Sequence, residues 1–193
     1  VDAEGAAELR TAQRKAEREL ERIVGPASDR LIAAARRDGV GAARAALESG
    51  ANPNRPAPVV EGWDADEYDA GVDEAMLSAL GWAAKRGNHE MATLLMDQGG
   101  ADPNQARTAD GGTALMEAAM QGRLEVTRLL LDRSADPNQA CTDNGMTALM
   151  CAAKDSHLEV ARLLLDRSAD PNQARTDNGW TALMRAAGGG HLE

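Results

Sequence analysis

Aromatic residues are nearly absent from this chain. Phenylalanine does not occur, and one tyrosine and three tryptophans are spread over 193 residues. Aromatic contacts can come only from Trp63, Tyr68, Trp82 and Trp180. Cysteine is almost as rare: Cys141 and Cys151 lack the spacing of a metal site, and so small a number favours a reducing compartment over a disulfide-stapled fold. Basic residues are outnumbered, with 21 Lys and Arg against 31 Asp and Glu and a net charge of −10. Nucleic-acid affinity rests on clustered Lys and Arg, so that partner class is excluded. No apolar run approaches the length of a membrane span, and a mean hydropathy of −0.44 with 43% hydrophobic residues describes a water-soluble chain. Nucleophile elbows, phosphate loops and metal-ligand clusters are missing. Neither an enzyme nor a cofactor is expected.

What the chain does have is one phrase written three times. It runs from Ala101, Ala135 and Ala169, with Asp102, Asp136 and Asp170 spaced 34 residues apart, as are Thr113, Thr147 and Thr181. A period of this length marks a stacked array. Each unit reads as a short helix (TALMCAAKD from Thr147), a second helix (LEVARLLLD from Leu158) and a polar stretch with Asn144-Gly145. Asn-Gly between ordered elements predicts a two-residue type I′ turn. Asp29, Ser78, Thr113, Thr147 and Thr181 occupy equivalent sites and are expected to cap the first helices. Alanine pairs such as Ala118-Ala119 keep those helices slim, and Leu129 to Leu131 with their copies fill the seam between units.

The words TALM, HLEV and SADPN resemble the TPLH-type helix start, GHLEV-type second helix and GADVN-type loop entry of the ankyrin repeat. The resemblance covers most of the chain. It implies an all-α repeat fold, an ankyrin-type solenoid of helix-turn-helix units joined by β-hairpin loops. Departures are local: one extra residue per loop, Pro137 and Pro171 in place of valine, and Met150 and Met184 in place of histidine. Ser134 and Ser168 stand where a helix-ending glycine is expected, at a cost of about 1 kcal/mol each if left-handed. The array is expected over residues 26–193, with units at about 28–54, 76–104, 113–138 and 147–172 and a partial one at 181–193. His157 and His191 match the ordinary histidine of the family's HLE motif, and His89 falls at the same helix junction, so a structural role is expected for all three.

Three segments depart from the repeat. Residues 1–25 carry Leu9, Ala12, Ala16, Leu20 and Ile23 at helical spacing and end in Gly25-Pro26, which predicts an amphipathic helix that caps the first unit or docks to another protein. From Asn54 to Ser78 there are 24 steps, against 9 from Asn104 to Thr113, so 15 residues are inserted into one loop. This acidic insert, residues 55–75, holds Trp63 and Tyr68 among seven acids, a composition suited to a basic partner or to a solvated loop. Its carboxylates do not make a calcium loop, because Tyr68 sits at a ligand position and Ala70 replaces the required glycine. At the far end His191-Leu192-Glu193 opens a second helix, which predicts that further chain or a partner covers Leu183.

In the ankyrin family, loop tips and the inner face of the first helices contact partners, and here these positions differ among near-identical units. Before the alanine pair stand Trp82, Glu117, Cys151 and Arg185; before the cap, Gly112, Met146 and Trp180; after the alanines, Lys85-Arg86, Met120-Gln121 and Lys154-Asp155. Such variation suggests side chains free of packing. The expected contact set is Trp63, Tyr68, Trp82, Lys85, Glu117, Met120, Gln121, Met146, Lys154, Asp155, Trp180 and Arg185, with Asp110, Asp143 and Asp177 on the loops. The function expected is a non-catalytic scaffold binding a protein partner through loop tips and concave helix face. The alternatives are a structural subunit held permanently in a large assembly and a regulatory segment of a longer enzyme. A cytoplasmic location is expected first, and an organelle interior after leader removal second.

Overall fold

The computed structural model describes residues 27–55, 77–107 and 110–188. The expected N-terminal helix, most of the acidic insert and the final residues lie outside them. The described chain is a succession of helix pairs. Helix α1 covers 27–36, followed by α2 (Val40–Glu48), α3 (Ala79–Arg86), α4 (His89–Asp97), α5 (Ala114–Met120), α6 (Leu124–Asp132), α7 (Ala148–Lys154), α8 (Leu158–Asp166) and α9 (Ala182–Gly188). First helices pack on first helices, α3 on α5, α5 on α7 and α7 on α9. Second helices form a parallel layer in which α2 meets α4, α4 meets α6 and α6 meets α8. No strand occurs among the described residues, so the fold is an all-α repeat solenoid.

Alanine makes this stacking possible. Ala83, Ala84, Ala118, Ala119 and Ala152 are completely buried, so neighbouring first helices approach without intervening bulk. Leu95, Leu130 and Leu164 are also fully buried and fill the seam behind them, each contributing about 2 kcal/mol by leaving water. The helix starts hold as expected at four sites: Ser78 accepts from the Gly81 amide at 3.1 Å, and Thr113, Thr147 and Thr181 accept from Met116, Met150 and Met184 at 3.4 to 3.5 Å. Asp29 departs from the expectation. It lies inside α1, which is already helical at Ala27, and pairs with Arg55 at 3.6 Å.

The loops are wider than the Asn-Gly signal predicts. Type I′ needs positive φ at both central residues, yet among residues 144 and 145 only Gly145 is left-handed, at φ 73°. The loop instead spans four residues. The Cys141 amide donates to the Met146 carbonyl (2.8 Å) and the Gly145 amide to the Cys141 carbonyl (2.9 Å). Asn144 is recruited elsewhere: its side chain accepts from the Met146 amide at 2.8 Å, and its carbonyl accepts from Thr176 in the next loop at 3.0 Å. The same closure recurs at Arg107–Gly112 and Arg175–Trp180. The isolated bridges among the described residues come to one antiparallel pair, Ala140 with Thr147.

Polar clips lock successive units. Asn54, Asn104 and Asn138 each donate to the carbonyl of the following unit's helix-ending residue (Gly100, Ser134, Ser168) at 3.0 to 3.2 Å. Each also accepts from the amide of Asp102, Asp136 or Asp170 at 2.7 Å. On the second helices Arg133 reaches Asp97 and Arg167 reaches Asp132. His157 starts α8 and places Nε2 3.0 Å from the Met120 carbonyl, while Arg123 donates Nε to Lys85 at the equivalent junction. Gly122 is required there: a Cβ on it would lie 2.6 Å from His157 Nδ1.

Candidate functional site

The face made by the loops and the first helices carries the variable residues, and the structure divides them into two groups. The first is packed. Trp82 is 7% exposed, with the Arg36 guanidinium 5.3 Å and the Lys85 ammonium 5.6 Å from its ring centroid, a cation–π arrangement made within the chain. Partial burial lowers the pKa of Lys85, and the Glu117 carboxylate works against that shift. Glu117 is 6% exposed and meets Arg107 at 3.1 Å. Arg107 simultaneously holds Asp110, whose side chain also accepts from the Gly112 amide at 2.9 Å. Desolvation pushes the Asp110 carboxyl up, but the Arg107 and Gly112 hydrogen bonds outweigh it and hold the pKa below its ordinary value.

Variation at these positions therefore does not mean freedom from packing. Cys141 and Cys151 occupy the sites of Arg107 and Glu117 one unit earlier, and both are buried free thiols. Cys141 lies 3.5 Å from Met116 Sδ. Burial lifts Cys141 to about 11 and Cys151 to about 12, leaving both protonated and unreactive. The loop–helix junction thus accepts an ion pair in one unit and two small sulfur side chains in the next. Met146, expected in the contact set as a side chain free of packing, is half-buried against the core. Met120 also packs on the core.

The second group faces solvent. Gln121, Asp143, Lys154, Asp155 and Asp177 are exposed, and Trp180 is 41% exposed with its ring passing 3.2 Å from a Cβ position on Gly188. Asp177 pairs with Arg175. Arg185, at the site of Glu117, is half-buried, and its Nε is enclosed without a hydrogen-bond partner. Trp63 and Tyr68 lie outside the described residues. No family motif marks Arg107, although it organises this junction. Its signal was the ten-residue step to Glu117, repeated at Cys141 and Cys151 and at Arg175 and Arg185.

Among the described residues no group of three or more His, Cys, Asp and Glu could hold a metal ion, and no helix is long and apolar enough to cross a membrane. No curated protein matches the chain. The family model described as ankyrin repeats (3 copies) matches residues 31–141 and 135–193. Helix pairs, capped first helices and clipped loops are shared by the units inside this span, and the chain belongs to the ankyrin-repeat family.

Proposed function

We propose that this chain is a non-catalytic scaffold that binds a protein partner across the solvent-facing ends of α5, α7 and α9 and the loops before α7 and α9. Ankyrin repeats are in general protein-interaction modules. The observation that carries the reading is the contrast between a scaffold pinned by recurring bonds and a row of exposed side chains that changes from unit to unit: Gln121, Lys154 and Asp155, and Trp180. A rigid stack presents such a row with little ordering cost on association. Trp180 supplies the aromatic anchor, a type enriched among binding hot spots.

Permanent membership in an assembly is a second reading, favoured by Leu158, Leu165, Leu183 and Met184, which are 46 to 72% exposed on the last two units. Affinity capture of the native protein with mass spectrometry separates the two. A partner lost by Trp180→Ala or by Lys154→Glu, but retained by Arg162→Ala on the second-helix layer, supports the scaffold reading. A stoichiometric set that ignores the first two substitutions and falls with Leu183→Asp replaces it with the assembly reading. A partner lost only by Arg162→Ala sinks both.

A further inference from the structure

The stacking surface of the first unit is an open groove, and we infer that the chain's own residues 9–23 seat in it as a helix. The groove, of about 550 Å³, runs between α1 and α2 and is floored by Ala34, Ala42, Ala45 and Ala46. Its lining positions correspond to those that join units elsewhere in the array. Counting from the shared Asn54 and Asn172, Gly39 stands at the place of His157, which reaches back to the Met120 carbonyl. Ser49 stands at the place of Arg167, which reaches back to Asp132. The groove therefore continues the repeat-to-repeat interface, and a solenoid end of this kind requires cover.

The occupant follows from what the first unit has lost. Where later units carry Val160, Leu163 and Leu164, or Met91, Leu94 and Leu95, all buried, this unit has Ala42, Ala45 and Ala46. Ala42 and Ala45 are exposed among the described residues. A standard unit stacked here would meet too little side-chain volume. A helix bringing its own large residues restores it, and Leu9, Leu20 and Ile23 lie on one face of a helical wheel with Ala12 and Ala16 between them, small enough for close approach. Charge agrees. Arg30 and Arg37 line the groove one helical heptad apart, and Glu8 and Glu19 flank one side of the apolar stripe with Glu17 on the other. Gly25-Pro26 supplies the break that lets the chain reverse into α1.

Trypsin reads the docking directly in the full chain, because Arg10, Arg14, Lys15, Arg18 and Arg22 lie within the segment. Initial cleavage at these sites, followed by intact mass, is expected to accelerate about tenfold or more on Leu20→Asp or Ile23→Asp, since proteolysis follows the open population. Ala45→Leu provides the control from the other side. It installs the leucine that Leu163 represents in a sibling unit, so the array keeps its cooperative melt while the filled groove releases the segment to the same rapid cleavage. Equal cleavage rates in the unsubstituted chain and all three variants would overturn the inference. So would protection that appears only with concentration-dependent dimerisation, which assigns the groove to a second copy, or only on adding another protein, which assigns it to a partner.

Discussion

Arg107 shows how a single side chain can fix a loop to a helix. Its guanidinium serves Asp110 and Glu117 together, and all three are largely withdrawn from water. Arg107→Leu leaves two carboxylates without their cation and is expected to cost about 3 kcal/mol at neutral pH, more than Glu117→Leu, which leaves the Arg107–Asp110 pair intact. Urea unfolding of the two variants checks the order. The pH dependence has a definite sign. Asp110 has a folded pKa below its ordinary 3.8, so its contribution is present above that value and is lost as pH falls through the folded pKa. The deficit of Arg107→Leu should shrink on acidification over that window. A deficit that grows with acid would contradict the pairing.

The individual elements were legible because each is specified locally. Thr113, Thr147 and Thr181 announce helix starts, and the alanine pairs announce the faces that stack. Two local signals misled. Asn144-Gly145 implies a two-residue turn, but the Asn144 side chain and carbonyl are engaged by Met146 and Thr176, and the second partner lies in another unit where no local rule can see it. Asp29 looks like a cap only if α1 begins there, and α1 begins earlier. The helix-ending serines take the left-handed geometry that their place in the repeat implies: Ser134 and Ser168 both sit at φ 66°, where Gly100 sits at 69°. Replacing either with glycine should stabilise the chain by about 1 kcal/mol. A raised urea midpoint with unchanged slope is the expected result. No change would mean that the strain is relieved elsewhere.

At the scale of the whole molecule, the solenoid could be read from its period, whereas the partition of the variable face could not. Trp82, Glu117, Lys154 and Trp180 look alike in an alignment of units because all vary. Only three-dimensional neighbours separate the ring met by Arg36 and Lys85, or the carboxylate held by Arg107, from side chains left to solvent. Fold supplies the platform, and the exposed remainder supplies the specificity. The central claim is that partners engage this remainder and leave the scaffold unchanged. Hydrogen exchange of the full chain with and without its captured partner tests it most directly. The account predicts new protection in the loops before α7 and α9 and at the ends of α5 and α7, with α6 and α8 unaltered. Protection concentrated on the outer faces of α6 and α8, around Arg128 and Arg162, would contradict it.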